Sequence, residues 1–454
     1  MIGIITGIML GWENVFGQTR TALRAIRQAL SVICVLGKRT IARSYLARGG
    51  EGDWSSEYKL HSRSKWAEQE LFEPILGRAA EMSEGKFIVF GCDDTRVKKS
   101  GKKILSAQWG RDPQSPPFRV NLQWGLRYLH ASVLVPLHRQ YGLSARALPV
   151  WFEEATPVKK PGKRASTEEQ KAYRAETKKR NLSVQAVEMF RKLRRKADES
   201  GYSDKIMAWA ADGSFCNETV FKADLDRTIL IARTRKDAKL CLPACEGRRI
   251  YAQEKFTPES VLKDEGRSWQ SALVFHGGKW RTVYYKEVNE VLWQRGAGSK
   301  PLRLIVVRPV PYRKTKKGKL LYRQPAFLLT TDLETEAVEL LQIYFDRWQL
   351  EVAHKELKQD FGLGHAQVRV PASVARQPAL TAATYSAMHL AALKAFGPNR
   401  PDEFGPVPKY QREKTRVSSL DLIRFVRHEV VNNPDALPFV FNISANSLFA
   451  SAAC

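Results

Sequence analysis

Apolar residues recur at helical spacing in the first part of the chain. TRTALRAIRQALSVICV and SEYKLHSRSKWAEQELFEPIL both carry apolar positions three and four residues apart, with basic and aromatic residues between them. This spacing predicts that residues 1–85 form a helical region. From residue 86 the period changes: KFIVFGCDDT, KKILSAQWG and NLQWGLRYLHASVLVPL are short apolar runs bounded by turns, which predict three successive strands in a meander.

Helices and strands then alternate. EEATPVKKPGKRASTEEQKAYRAETKKRN is highly charged and predicts a mobile loop that runs into a helix, and LSVQAVEMFRKLRRKA predicts an amphipathic helix. KIMAWAADGSFC and DRTILIARTRKDAKL predict two more strands. We therefore expect residues 86–239 to form the first part of an α/β core.

A second group of strand-like runs interrupts this alternation. WRTVYYKEVNEVLW and PLRLIVVRPVPYR are separated by Gly-rich and basic turns, which predicts a β-rich insertion over residues 240–326. AFLLTTDL then predicts a strand, and two helices follow it, so residues 327–397 would complete the core. Residues 398–454 predict a Pro/Gly-rich connector, a short helix near SLDLIRFVRHEVV and a tail.

The first of these two helices, YFDRWQLEVAHKELK, carries an unusual polar face. At 100° per residue, Tyr344, Arg347, Glu351, His354 and Lys358 fall in one sector, beside a stripe of apolar residues. Two interpretations are equally consistent with this pattern. One is an ion pair on a solvated face, worth a few tenths of a kcal/mol; the other is a functional surface.

Three carboxylates occupy comparable places in the predicted elements. Asp93 or Asp94 ends the first strand, Asp212 ends a later strand, and Glu351 lies on the helix just described. Because successive strand residues point to opposite faces, only one of Asp93 and Asp94 can enter a shared site, and we select Asp94, directly before Thr95. Clustered carboxylate oxygens favour Mg²⁺ or Mn²⁺. Two such ions about 3.5–4 Å apart would serve phosphodiester displacement.

Charge identifies the class of partner. The 454 residues are 43% hydrophobic, which indicates a globular chain with roughly two or three cores. The net charge is +27 and the pI about 9.9, which favours nucleic acid over an anionic membrane, because no apolar run approaches the length of a membrane span. The N-terminal MIGIITGIMLGW lacks the features of a signal peptide. Six scattered cysteines suit a reducing cytoplasm.

The N-terminal helical region contains one candidate DNA-binding motif. LGKRTIARSYLARGG predicts a turn followed by a short helix that bears arginines. The segment fits a helix-turn-helix and a basic helical cap on the next domain equally well.

The residues of the polar helix face resemble those of a known family. Tyr344, Arg347, Glu351 and Lys358 match the Tyr-x2-Arg-x3-Glu-x6-Lys signature of one branch of the DDE transposases of bacterial insertion sequences. CDDT and AADGSF look like the family's first and second acidic motifs, and LLTTDL is similar to the strand before the third. The resemblance implies an RNase H-like core interrupted by a β-rich insertion, a metal-binding triad of Asp94, Asp212 and Glu351, and DNA contacts by Tyr344, Arg347 and Lys358.

The resemblance also implies a reaction and its partners. Such an enzyme binds the terminal inverted repeats of its element, hydrolyses a phosphodiester at each end with two Mg²⁺ or Mn²⁺ ions, and joins the freed 3′-hydroxyls to target DNA. It acts on the bacterial nucleoid in the cytoplasm, as a homodimer when two ends are paired. Some relatives use a tryptophan before the signature helix during hairpin formation; here PAFLLTTDL has only Phe327, which leaves that route open. Two other functions fit the same residues: an RNase H-like nuclease or resolvase without strand transfer, and a non-catalytic DNA-binding regulator.

Overall fold

A computed structural model describes residues 1–50, 52–112, 115–116, 118–245, 247–313, 315, 318–407 and 416–433. The predicted C-terminal tail, residues 434–454, lies outside this part of the chain. The predicted short helix before it is present and covers Ser419–Asn432.

Five α-helices occupy much of the described chain up to Glu81, and they include the helices that the periodicity predicts. Apolar side chains of these helices pack on one another and on a long helix near the end of the core, so that they share a single buried cluster with the central sheet. The N-terminal region is therefore continuous with the core. Its helices are α1 (Ile2–Leu10), α2 (Thr19–Cys34), α3 (Ile41–Leu46), α4 (Trp54–Ser62) and α5 (Glu73–Glu81).

A mixed sheet of ten strands forms the centre of the molecule, so the chain is α/β. The strands of this sheet and of one separate hairpin are β1 (Phe87–Lys98), β2 (Gln108–Arg111), β3 (Leu122–Val135), β4 (Arg146–Glu154), β5 (Ile206–Ala211), β6 (Thr228–Arg233), β7 (Gln270–Phe275), β8 (Trp280–Leu292), β9 (Pro301–Val307), β10 (Pro311–Arg313), β11 (Leu320–Tyr322) and β12 (Ala326–Thr330).

Strand order places β1 near the middle of the sheet. The order is β2-β3-β1-β5-β6-β12-β9-β8-β7, and β4 also pairs with β3. β1, β5 and β6 are mutually parallel, whereas β3 runs antiparallel to β1 and β12 antiparallel to β6. The β-rich segment predicted as an insertion does not form a sheet of its own: β7, β8 and β9 extend the main sheet, and only β10 and β11 form a separate hairpin.

Helices cover both faces of the sheet. The remaining helices are α6 (His138–Tyr141), α7 (Thr167–Lys179), α8 (Leu182–Glu199), α9 (Glu218–Phe221), α10 (Pro258–Lys263), α11 (Gln294–Ala297), α12 (Ala337–Asp346), α13 (Gln349–Gln359), α14 (Pro371–Phe396) and α15 (Ser419–Asn432).

Two of these helices explain how the central strands are buried. The amphipathic helix α8 packs aromatic residues on one face of the sheet: Phe190 stacks on Trp209 of β5 with ring centroids 3.9 Å apart and meets Phe90 of β1 edge to face. α14 is buried over most of its length and receives the N-terminal helices. Among the described helices, none combines the length and the apolar character needed to cross a lipid bilayer.

Candidate active site

Asp93 points to the face of the sheet that α13 covers. It pairs across the sheet with His130 of β3, and His130 in turn hydrogen-bonds to His354 of α13, with Nδ1 and Nε2 2.8 Å apart. Gly91, two residues before Asp93 and on the same face, is the point where Leu350 of α13 approaches β1: a Cβ at position 91 would lie 2.5 Å from a Leu350 methyl carbon. Asp93 and the polar helix therefore share one face.

Asp94, which we selected from the sequence, lies on the opposite face. Its two carboxylate oxygens accept hydrogen bonds from Arg127 of β3, both at 2.7 Å. Arg127 in turn lines a cavity on the α8 side, beside the N-terminal turn of that helix. Strand alternation directs the Asp94 side chain away from α13, and the bidentate ion pair engages its carboxylate, although its charge still acts on Lys358. The geometry favours Asp93 as the first carboxylate of the site.

Asp93 and Asp212 are brought together by parallel pairing. Cys92 of β1 pairs with Ala211 of β5, so the next residue on each strand is an acid. Burial and, second, the negative charge of Asp212 together raise the pKa of Asp93 to about 7, while Arg347 acts in the opposite direction. Asp212 is half-buried. This acidic pair has the property expected of a cation site. A bound positive ion would offset both the cost of burying negative charge and the repulsion between the two carboxylates.

The predicted signature helix is two helices joined by a tight turn. α12 ends at Asp346 and α13 begins at Gln349. Between them the backbone hydrogen bonds shorten to i→i−3, from Trp348 N to Phe345 O and from Leu350 N to Arg347 O. Tyr344 thus belongs to α12, Arg347 to the turn, and Glu351 and Lys358 to α13. A turn with three residues per revolution advances by about 120° per residue, so the single sector predicted for a continuous helix is distorted.

Glu351 is exposed at the start of α13. In the described part of the chain its carboxylate has no hydrogen bond or ion pair. The residues on either side of it in the signature behave differently: Arg347 lowers the pKa of Asp93, and burial lowers the pKa of Lys358 while the charges of Asp93 and Asp94 act in the opposite direction. Both cations therefore lie within electrostatic range of Asp93.

Tyr344 lines a basic and aromatic pocket of about 460 Å³. The guanidinium carbon of Arg347 lies 5.7 Å from the centroid of the Tyr344 ring, a cation–π distance. Rings and guanidinium groups together suit a nucleotide, since they can stack on a base and pair with a phosphate. The other charged and aromatic residues of the pocket are Arg233, His276, Arg308, Tyr312, Tyr322, Arg323, Phe345 and Trp348.

His354, which the sequence places on the polar face, is a packing residue that anchors α13. It contacts His130 as described, and Ser132 Oγ lies 2.8 Å from the other ring nitrogen of His130. Burial lowers the pKa of His354 to about 3 and that of His130 well below its ordinary value. Both rings are neutral near pH 7, and the chain of hydrogen bonds holds α13 on β3.

One signal in the sequence distinguishes Asp93 from Asp94. FIVFGCDD is a run of large apolar residues with a single glycine, and a glycine inside a strand marks a place where another part of the chain approaches closely. Gly91 and Asp93 are two residues apart, so they lie on the same face of the strand. No comparable signal identifies Arg127 or His130, because their roles depend on the register between β1 and β3.

Carboxylate oxygens of Asp93 and Asp212 fit a hard divalent cation such as Mg²⁺ or Mn²⁺. Within the described ranges, however, no three His, Cys, Asp or Glu side chains cluster as a metal-binding group. The structure thus unites two of the expected carboxylates and leaves Glu351 apart from them on the adjoining helix.

The comparisons with known proteins add no relative. No family model matches the chain, and no curated protein is significantly similar to it.

Proposed function

We propose that this protein is a metal-dependent DNA transposase of the DDE type, with Asp93, Asp212 and Glu351 as its carboxylates. The observation that carries the proposal is the charge arrangement on one face of the sheet. Burial, and after it the negative charge of Asp212 on the neighbouring parallel strand, raise the pKa of Asp93 to about 7, and the charges of Arg347 and Lys358 from the signature segment act on the same acid. A purely structural ion pair does not require two repelling carboxylates beside each other.

The topology supports an RNase H-like core for this proposal. β1 is central, with antiparallel β3 on one side and parallel β5 and β6 on the other. This strand order explains why the two acids are close together. Asp93 lies on β1, and Asp212 directly follows the adjacent strand β5. The strands β7, β8 and β9 come between β6 and the signature helices in the sequence. They would then be an addition that widens the sheet.

Each residue has a role in the proposed reaction. Asp93 and Asp212 would hold Mg²⁺ or Mn²⁺, with Glu351 as the third ligand. The bound ions would stabilise charge on the attacking and leaving oxygens of the phosphodiester. Arg347 and Lys358 would neutralise DNA phosphates beside the acids, and Tyr344 would pack on a sugar or base. The net charge of +27 supplies the attraction for the DNA ends and the target. Pairing of two ends implies a homodimer in the DNA complex.

The test is cleavage of linear DNA that carries the flanks of the gene, with Mg²⁺, Mn²⁺ or EDTA. We expect metal-dependent breaks at the element ends, followed by joined products. Glu351→Gln should abolish the breaks while retaining DNA binding, since the substitution removes a charge and little volume. Asp93→Asn should do the same.

Asp94→Asn is the matched control, because it alters the adjacent residue on the other face. It should reduce cleavage far less than Asp93→Asn. If Asp94→Asn alone abolishes cleavage, the assignment of Asp93 is wrong. Breaks without joined products would identify a nuclease or resolvase, and binding without breaks in either metal would identify a regulator.

A further inference from the structure

A segment that we call the β-arm lies at the β2 edge of the sheet. It comprises residues 98–112 and 118–124, from the end of β1 through β2 to the start of β3. Its large apolar side chains are unusually exposed: Trp109 is 64% exposed and Phe118 is 90% exposed, and Leu105, Val120 and Leu122 are exposed as well. A concentration of exposed apolar side chains of this kind marks a binding surface.

Two tryptophans of the β-arm form a fixed aromatic platform. Trp109 of β2 and Trp124 of β3 are paired across the strands, and their rings meet edge to face with centroids 5.7 Å apart. Trp124 is held in place because its indole N–H donates to the Gly101 carbonyl at 3.1 Å. The Trp109 ring is thus supported on one side and open to solvent on the other.

Basic residues surround this platform. A groove of about 600 Å³ contains Trp109 and Trp124, and an adjoining groove of about 620 Å³ shares its lining at Lys98. The cations that line the two grooves are Lys38, Arg96, Lys98, Lys99, Lys102 and Lys358, against a single acid, Asp112.

Four of these six cations fall into two groups. The ammonium of Lys99 is buried and donates to the carbonyls of Gly364 (3.4 Å) and Ala366 (2.6 Å), so its role is to hold the turn after α13. Lys38, Lys98 and Lys102 are exposed, and within the described part of the chain none of the three forms an ion pair. They are available to phosphates.

The adjoining groove leads to the proposed active site. Lys358 lines it and lies within electrostatic range of Asp93. A strand whose scissile phosphate lies at the metal site proposed for the acids would therefore pass Lys358 and continue along Lys98 toward Trp109.

We propose that the β-arm and these two grooves bind a single-stranded stretch of DNA next to the scissile phosphate, with a base stacked on Trp109 and phosphates on Lys98 and Lys102. The proposal rests on the proposed function, because it takes DNA processing at Asp93 as its starting point. Single-stranded DNA is favoured over duplex because only unpaired bases can present their faces to an aromatic ring. It is favoured over a protein partner because the lining carries six cations and one acid.

The experiment measures binding of the full-length protein to a fluorescein-labelled oligothymidine by anisotropy, in EDTA, over a range of salt concentrations. Trp109→Ala should weaken binding at least about fivefold, or about 1 kcal/mol, with the salt dependence unchanged. Trp109→Phe should restore most of the affinity. The double variant Lys98→Ala/Lys102→Ala should reduce the slope of log K against log salt by about 1.4, since each phosphate contact on a single strand contributes about 0.7.

Trp280→Ala is the control, because Trp280 is also a partly exposed tryptophan (45%) but lies on β8, near the opposite edge of the sheet. It should bind like the unaltered protein. An oligothymidine with 5-iodouracil should crosslink to Trp109, as located by peptide mass spectrometry.

Three results would overturn the proposal: equal losses for Trp109→Ala and Trp280→Ala, an unchanged affinity for Trp109→Ala, or a change in oligomeric state in place of a change in DNA affinity. Each variant is checked by circular dichroism, so that misfolding is not taken for lost binding. Because binding is measured in EDTA, failure of metal-dependent cleavage would refute the enzyme and leave the grooves as a DNA-binding surface.

Discussion

The raised pKa of Asp93 predicts an unusual pH dependence of stability. The pKa of Asp93 is raised to about 7 in the folded chain, compared with an ordinary value of 3.8. The folded state thus binds this proton more tightly than the unfolded state, and the resulting stabilisation is present at low pH and is lost as the pH rises from about 4 to about 7. Each pH unit in this window contributes about 1.4 kcal/mol. Between pH 5 and pH 8 the loss is therefore about 3 kcal/mol.

Asp93→Asn removes both the titration and the repulsion with Asp212. We expect the variant to be more stable than the unaltered protein at pH 8 and close to it at pH 5, so that the difference between the two pH values shrinks by about 3 kcal/mol. Asp212→Asn should have the same sign and a smaller effect, because burial is the larger cause of the raised pKa. Urea unfolding followed by circular dichroism, with EDTA present, measures these free energies.

Asp94→Asn provides the comparison. The substitution removes the ion pair with Arg127, whose side chain is 38% exposed. It should lower the free energy of unfolding by less than about 1 kcal/mol and keep most of the difference in stability between pH 5 and pH 8. If Asp93→Asn and the unaltered protein show the same dependence on pH, the acids are not coupled as described and the reasoning fails.

Further predictions concern the supports of the site. Gly91→Ala should destabilise the fold by about 1–3 kcal/mol in urea unfolding, because the new Cβ would overlap the buried Leu350 side chain. Lys99→Met should cost about 1–3 kcal/mol by leaving the buried Ala366 carbonyl without its donor, whereas Lys98→Met, at an exposed position, should change stability by less than about 0.5 kcal/mol. Mg²⁺ at 100 times its Kd should stabilise the unaltered protein by about 2.7 kcal/mol and stabilise Asp93→Asn much less; equal stabilisation would exclude Asp93 as a ligand.

Elements with strong periodicity were predictable from the sequence. The apolar stripe of α8 and the buried run at the start of β1 depend on local pattern alone, and both are present. β1 extends past its acids to Lys98 because it pairs with β3 along this whole segment. Such pairing joins residues far apart in the chain, so local pattern placed the end of the strand at the acids.

The strand partners of the predicted β-rich insertion could not be inferred from the sequence, for a related reason. Its runs have the alternation of strands, which periodicity detects, but β9 pairs with β12 and thereby joins the main sheet. Strand partners are set by long-range contacts that a single sequence does not reveal.

The break between α12 and α13 explains why the sequence predicts the position of some signature residues better than that of others. No glycine or proline occurs between Tyr344 and Lys358, so local propensity predicts one helix. The tight turn at Arg347 rotates the following residues by some tens of degrees. Arg347 and Lys358 have long, flexible side chains, and both still interact electrostatically with Asp93. A shorter carboxylate has less reach, and Glu351 stands apart from the acidic pair.

The position of Glu351 therefore depends on how α13 sits on β1. Leu350, its neighbour, makes the close contact with Gly91, and His354, one turn later, is anchored to His130. These contacts fix the helix within one turn on either side of the glutamate. A Gly91→Ala substitution that shifts α13 should consequently impair cleavage more than DNA binding, because the cations tolerate a small displacement and a metal-binding carboxylate does not.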